Sequence, residues 1–356
     1  MKKVVIAMSG GVDSSVAAFL LKEQNYDCIG MTMKLFYNED IHLNRANSCC
    51  SLDDVEDARK IAQQLGIPYY VVNFSDRFKE DVIDRFVSAY ENGRTPNPCI
   101  DCNRYLKFDR LFLRVQEISY DFVATGHYAR IEYDENRKRW LLKKALDPDK
   151  DQSYVLYTMT QEQLAHTLFP LGALTKTQVR ALASENGFVN AKKHDSQDIC
   201  FVQEGSYADF IEKYTQKTYP EGHFIDREGN ILGTHKGIIR YTLGQRKGLG
   251  LSFPQPMYVS AVDPAKNTVT LTPEEGLFSK TLFASDINLI ACETIKEPLR
   301  VKAKVRYRQK EQWATILQTD ENRIQVTFDE PQRAITGGQS VVFYDGDIVV
   351  GGGTII

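Results

Sequence analysis

The stretch Val4-Val5-Ile6-Ala7-Met8-Ser9-Gly10-Gly11-Val12-Asp13-Ser14-Ser15 decides the fold. Val4–Met8 is a short apolar run of the kind a buried parallel strand shows. Ser14–Glu23 then has the spacing of a helix, with Val16, Phe19 and Leu20 on one face. A strand, a glycine-serine loop and a helix make a phosphate cradle. The glycines let the backbone approach an anion, the serines add hydroxyl donors, and the helix N-terminus supplies N–H groups and a favourable dipole. No Gly-Lys-Ser/Thr follows, so this is not a Walker A grip on the β- and γ-phosphates. A bare turn capping an ordinary helix is the alternative, and the preceding strand argues against it. Asp13, at the mouth, offers Mg²⁺ a carboxylate, since that ion binds one or two carboxylates plus phosphate oxygens.

Outward from this loop, strand and helix patterns alternate. Cys28–Phe36 reads as a strand, Leu52–Leu65 as a helix, Tyr69–Phe74 as a strand and Arg77–Tyr90 as a helix. A loop from Asn92 to Asn103 contains Pro96 and Pro98; a helix follows to about Glu117, and Phe122–Ala124 is a further strand. The rhythm predicts an α/β fold, a doubly wound parallel sheet with helices on both faces. Ligands bind such sheets at the carboxyl ends of the strands. Met33 and Gly126 fall there, facing the same cavity as Ala7, Met8, Ser9, Gly10, Gly11, Val12, Asp13 and Ser14. The polar segment Tyr37–Ser51 interrupts the rhythm and is expected to be mobile. Arg130–Ala145 reads as a hairpin turning at Asp134-Glu135-Asn136. Beyond Phe201 a Gly- and Tyr-rich mixed region runs to about Pro273. Short alternating strands then continue to Ile356, separated by Asp320-Glu321-Asn322, Gly337-Gly338 and Asp345-Gly346-Asp347, which predicts a small barrel or sandwich. The expected division is 1–204, 205–276 and 277–356.

A chain of 356 residues supports two or three such domains. Its 42% apolar and 26% charged content is that of a soluble globular protein. The apolar run after Lys2-Lys3 is too short for a signal peptide or a membrane span, so a cytoplasmic protein is expected. The net charge of −3 gives no global sign of a nucleic-acid partner, which a local patch would have to bind. In a reducing compartment the seven cysteines should serve as metal ligands, redox centres or nucleophiles.

Thr95-Pro96-Asn97-Pro98-Cys99-Ile100-Asp101-Cys102-Asn103 places two thiols on a proline-stiffened loop, with Cys102 at or near a helix N-terminus. That position favours the thiolate, and Arg104 and Lys107 add positive charge. Cys200, in Asp195-Ser196-Gln197-Asp198-Ile199-Cys200-Phe201, ends the α/β region. Thiols beside an ATP-cleaving loop suggest sulfur transfer. A carbonyl oxygen leaves poorly, but its adenylate leaves as AMP; a persulfide sulfur then attacks the activated carbon and a second cysteine resolves the persulfide. Zinc on Cys49, Cys50, Cys99 and Cys102 is a further option, with an awkward adjacent pair. Cys28 and Cys292 sit in apolar settings and read as inert.

The loop resembles those of the PP-loop (N-type) ATP pyrophosphatases, whose fold is adenine nucleotide alpha hydrolase-like. Together with Asn97–Phe108, Ala124–Arg130, Asp149–Tyr157, Ala191–Phe201, Thr242–Gly250 and Phe343–Gly353, it resembles the tRNA-specific 2-thiouridylase family nearly end to end. The resemblance implies ATP-dependent sulfur transfer to C2 of the wobble uridine in lysine, glutamate and glutamine tRNAs. An adenylated base is the intermediate, with release of AMP and pyrophosphate. It further implies Cys102 as nucleophile, Cys200 as persulfide carrier, and Asn97, Pro98 and Cys99 against the target base. His127, Lys150, Asp151, Gln152, Arg306, Tyr307 and Gln339 match tRNA contacts. A persulfide relay protein or cysteine desulfurase is the implied donor. Some members carry aspartate where this chain has Cys99. Cys99, Cys102 and Cys200 could instead hold three irons of a [4Fe–4S] cluster whose fourth iron carries sulfur.

Every even position from Arg300 through Lys302, Lys304, Arg306 and Arg308 to Lys310 is basic. On a strand that places six cations on one face, opposite Val301, Ala303, Val305 and Tyr307. A solvated outer face is one reading; with no acid intervening, a phosphate backbone is the other. Such contacts give register, and base selection would need the uridine extruded into the catalytic pocket. Tyr154, Tyr157 and His127 could line that pocket or simply pack.

Overall fold

The computed structural model describes residues 1–36, 52–194, 199–202 and 205–356. The Tyr37–Ser51 segment with Cys49 and Cys50, and most of the loop before Cys200, lie outside the described residues. The first strands in chain order are β1 (Lys3–Ala7), β2 (Asp27–Lys34), β3 (Tyr69–Asn73), β4 (Phe122–Ala124), the hairpin β5 (Ala129–Asp134) and β6 (Arg139–Lys144), and β7 (Thr167–Leu168). A parallel sheet runs β3-β2-β1-β4-β7. Val4, Val5 and Ile6 of β1 are fully buried, as a central strand covered on both faces requires. The order reverses between β1 and β4, so the loops after these two strands flank the switch point where such sheets bind ligands.

Helix α1 spans Val12–Glu23, two residues longer at its start than its apolar spacing indicates, and α2 spans Leu52–Gln64. The expected Arg77–Tyr90 helix is a run from Ser75 to Glu91 with a π-type turn at Lys79–Ile83. The expected loop before Cys102 ends early, because the Asn97 side chain caps a helix that starts at Pro98. Proline is favoured at that first position, where its missing N–H is not needed.

The middle region pairs a helix, Tyr207–Thr215, with β8 (Gly222–Ile225), β9 (Ile231–His235), β10 (Tyr258–Asp263) and β11 (Thr268–Thr272), in the order β10-β11-β8-β9. The C-terminal strands are β12 (Phe278–Leu289), β13 (Leu299–Lys304), β14 (Gln312–Asp320), β15 (Arg323–Arg333), β16 (Ser340–Asp345) and β17 (Ile348–Ile355). They form an antiparallel barrel closed by β12–β17 pairing around Val301, Ala314, Ile316, Val326, Phe328 and Phe343. The β5–β6 hairpin belongs to the first region in sequence, yet Lys143 of β6 pairs with Ile348 of β17, extending the barrel sheet.

The basic stripe is shorter than its alternation indicates. Strand β13 stops at Lys304, and residues 305–309 turn, with Gln309 N–H donating to the Arg306 carbonyl at 3.2 Å. Only Arg300, Lys302 and Lys304 therefore share a strand face. Among the described residues, no helix is long and apolar enough to cross a membrane.

Candidate active site

The loop after β1 is closed by its own hydroxyls. Ser14 Oγ donates to the Gly11 carbonyl (3.0 Å) and accepts from the Ser9 N–H (3.2 Å), while Ser15 Oγ also donates to Gly11 (3.1 Å). Gly10 has φ +74°, and a Cβ there would collide with the Asp54 backbone of α2. A Cβ on Gly126, in the loop after β4, would lie 2.7 Å from the Ser14 nitrogen. The two switch-point loops thus touch through glycine. The N-cap of α1 is Gly11, which has no side chain to occupy the first-turn N–H groups, so they suit an anion. Met8 and Val12 are core residues and Ala7 is partly buried; they shape the cradle from behind.

Asp13 does not stand alone at the mouth. Its two oxygens accept from Lys176 Nζ at 2.7 and 2.8 Å, and one also accepts from the Tyr128 hydroxyl at 2.7 Å. Lys176 is buried and fixed in place. Thr175 and Gln178 form a capping box around its helix, Lys176–Glu185, and the Lys176 N–H donates to Asp147 at 2.9 Å. A Mg²⁺ at Asp13 therefore competes with a lysine for the carboxylate. Behind the loop, Lys193 Nζ reaches Asp54 (2.6 Å), Asp57 (2.7 Å) and the Gly10 carbonyl (3.4 Å). Burial opposes the Lys193 charge, but the hydrogen bonds and charges of Asp54 and Asp57 prevail and raise its pKa. Asn190 Nδ2 donates to the Gly10 carbonyl and to Ser15 Oγ at 3.0 and 2.9 Å.

The thiols lie on the neighbouring helix, which runs Pro98–Asp101, then a π-type stretch Cys102–Arg110, then Leu111–Glu117. Cys99, whose N–H is capped by Asn97 at 3.2 Å, occupies the first turn, and Cys102 is one turn in. The helix-end position expected for Cys102 thus belongs to Cys99. Cys102 and Cys200 border one apolar cluster with Met33, around Phe78, Phe86, Leu106, Phe201 and Phe210. Phe201 holds Cys200 there, its ring 5.8 Å from Phe78 and 5.2 Å from both Phe86 and Phe210. Cys99 is exposed as a residue, but protein crowds its sulfur enough for desolvation to raise the thiol pKa, with Lys107 opposing. It interacts with Tyr307 of the barrel and is no part of the Cys102/Cys200 cluster.

Among the described residues no group of three or more His, Cys, Asp or Glu side chains is arranged to hold a metal ion. The three-thiol [4Fe–4S] ligand set is accordingly not seen assembled among the described residues: Cys102 and Cys200 border the apolar cluster, and Cys99 is exposed outside it. The zinc reading rests half on Cys49 and Cys50, outside the described residues. Burial pushes Cys28 up to about 11 and also raises Cys292, as inert thiols require. Beside Cys102, burial pushes the Asp101 carboxyl up to about 6 against the pull of Arg85 and Arg104.

The expected tRNA-contacting residues turn out to be densely bonded. His127 is buried, its Nδ1 2.7 Å from Thr125 Oγ1 and its ring 5.9 Å from both Phe108 and Phe169. Burial, helped by Lys107, holds its pKa well below the usual 6.5. Asp151 accepts from the Ala145 and Ser153 N–H groups and the Ser153 hydroxyl, and Gln152 Oε1 accepts from Tyr128 N–H at 2.9 Å. Lys150 is half-buried in the same loop. Tyr307 donates to the Asp151 carbonyl at 3.1 Å. Gln339 donates to the carbonyls of Thr95 and Pro96 at 2.9 and 3.1 Å, fastening the thiol loop to the barrel. Arg306 turns inward onto the Leu243 and Ala334 carbonyls and Thr336 Oγ1, at 3.1, 3.2 and 2.9 Å. Tyr154 and Tyr157 are buried and bond Ser340, so they pack.

Sequence reasoning missed Lys176, Lys193, Asp54, Tyr128 and Asn190. The Thr175-x-x-Gln178 capping box marks where the Lys176 helix begins, but nothing local joins it to Asp13, 163 residues away.

Residues 2–204 match a family model described as tRNA methyl transferase HUP domain, 208–273 a tRNA methyl transferase PRC-barrel domain, and 279–355 an aminomethyltransferase beta-barrel domain. The chain is 55% identical over 354 residues to the tRNA-specific 2-thiouridylase MnmA of Clostridioides difficile, covering 99% of this chain and 98% of that protein. It is 54% identical over 355 residues to the protein of that name from Acetivibrio thermocellus, covering 99% of each. The like-named protein of Clostridium acetobutylicum is 51% identical over 354 residues, again covering 99% of each.

Proposed function

The chain belongs to the tRNA-specific 2-thiouridylase family, and from that premise we propose how its residues divide the work. The reaction is ATP-dependent thiolation of the wobble uridine of tRNA through an adenylated base. ATP binds with its phosphates on Ser9–Ser14 and the first turn of α1, and with its base toward Met33 and Gly126. Lys176 leaves Asp13 for the phosphates as they arrive, taking charge from the departing pyrophosphate. Mg²⁺ arriving with ATP would supply further neutralisation, with Asp13 as its carboxylate. The uridine C2 oxygen attacks the α-phosphorus, and pyrophosphate leaves.

Sulfur transfer then follows at the adjoining thiols. The terminal sulfur of a Cys200 persulfide attacks C2, and the C2–O bond breaks with AMP as leaving group. The Cys102 thiolate attacks Cys200 Sγ, so the old S–S electron pair stays with the sulfur now on the base. A Cys102–Cys200 disulfide remains for an external thiol to reduce. The observation that supports this most is that Cys102 and Cys200 border one apolar cluster with Met33, which lies near the carboxyl end of β2, the strand paired with the one that leads into the phosphate loop. Lysine, glutamate and glutamine tRNAs are the proposed acceptors. A persulfide relay protein or cysteine desulfurase is the proposed donor, and the cytoplasm the proposed location.

The test is incubation with MgATP, a persulfide-generating cysteine desulfurase with cysteine, a thiol reductant and unmodified tRNA, then nucleoside analysis. 2-Thiouridine with equimolar AMP and pyrophosphate is expected. AMP formation with an amidated product and no thiouridine would overturn the reading in favour of a ligase.

A further inference from the structure

The chain has two tryptophans. Trp140 is half-buried against the apolar cluster where the catalytic region meets the barrel. Trp313, on β14, is 50% exposed on the outer wall of the barrel. It is not needed for the barrel core, which lies on the other face of its strand with Ala314 and Ile316. Two cations lie over its ring: Arg300 Cζ is 5.0 Å and Lys302 Nζ 5.2 Å from the centroid. Both come from β13, where Lys302 is the register partner of Trp313. Arg300 is held in turn by a forked pair to Asp329 of β15, one limb at 2.6 Å. Among the described residues Lys302 has no carboxylate within ion-pair distance, so the group keeps a net positive charge.

The same strand leads toward the catalytic region. Lys304 lies over the Tyr154 ring at 5.9 Å and interacts with Asp151, in the loop that also carries Lys150 and Gln152. An aromatic face framed by cations, at the outer end of a basic strand, has the chemistry of a nucleic-acid contact. A ribose or unstacked base has an apolar face for the indole, and its flanking phosphates suit the two cations.

We infer that Trp313, Lys302 and Arg300 form a tRNA-docking platform on the barrel wall, taking an exposed nucleotide outside the catalytic pocket. The inference rests on tRNA being the substrate. It replaces the six-cation stripe with a smaller group that combines stacking and charge.

Titration of the full chain with unmodified tRNA, read by intrinsic tryptophan fluorescence and by filter binding, tests it. Wild-type fluorescence should be quenched on binding, and the quench should be lost in Trp313→Phe, whose affinity stays near wild type because a ring remains. Trp313→Ala should weaken binding on the order of tenfold. Lys302→Glu should weaken it and lower the slope of log affinity against log salt by about one. If wild type binds tRNA while Trp313→Ala binds equally well and the quench persists in Trp313→Phe, the platform is overturned and the thiolation reading stands. If wild type binds no tRNA at all, both fail.

Discussion

Asp13 and Cys102 both lie near the carboxyl edge of one parallel sheet, but the chain holds them by different means. Asp13 sits in a lattice of charge: Lys176 and Tyr128 grip it, and Lys193, Asp54 and Asp57 brace the loop beneath. Cys102 and Cys200 border an apolar cluster. Leu106 and Phe201, both fully or nearly fully buried, anchor the backbone on which the thiols ride. Phosphate chemistry gains from dipoles and ions already oriented before charge develops. Sulfur transfer requires the thiols to approach a base and each other, and one apolar cluster carries both of them.

Removing the sulfur carriers should separate the two regions most sharply. Cys102→Ala and Cys200→Ala are each expected to cut 2-thiouridine formation on the order of a thousandfold or more, as loss of a covalent nucleophile does. The first-turnover burst of pyrophosphate with ATP and tRNA should remain close to wild type. Cys99→Ala should keep both activities; its loss of thiolation would mean that all three thiols act together.

The converse cut is Lys176→Met. It leaves a carboxylate at the phosphate loop without its cation and should slow pyrophosphate release about a hundredfold, the scale for losing one oriented charge-stabilising group. Thiolation should fall in step. A variant that released pyrophosphate normally but failed to thiolate would show that the two regions are not divided as described.

Phe201→Ala attacks the packing instead. Deleting a buried ring of this kind costs about 3–5 kcal/mol, read as a fall in the urea midpoint. Thiolation should suffer more than pyrophosphate release, because the ring adjoins Cys200 and not Asp13. Equal losses would mean that the cluster supports both regions.

How far the sequence reveals each region follows from the range of its interactions. The phosphate loop is legible because strand, glycines and helix start are contiguous. The lysine on Asp13 is not, since a residue in the first turn of a distant helix looks like any surface lysine. β7 is too short, at two residues, to leave a pattern. Asn97-Pro98 holds a cap and a favoured first helical residue, yet the prolines read as loop and shift the helix start past Cys99. The basic alternation continues through the turn at 305–309, so period alone could not reveal that Arg306 folds inward to serve backbone carbonyls.

His127 sharpens the comparison by pH. It stands next to Gly126, yet its ring packs on Phe108 of the thiol helix, so it couples the two regions. Burial, then Lys107, depresses its pKa well below 6.5. Unfolded, the histidine binds a proton as pH falls through 6.5; folded, it stays neutral to lower pH. The unfolded chain thus holds more protons in that window. Its contribution is complete above 6.5 and declines below it by up to about 1.4 kcal/mol per pH unit until the folded ring protonates. His235 is depressed the same way, by burial first, so it adds to the slope of the whole protein. Urea midpoints between pH 7 and 5 should therefore fall less steeply in His127→Phe than in wild type, with the His235 share remaining. Parallel slopes would mean that the His127 ring is protonated as readily folded as unfolded, and that this junction is wetter than its packing implies.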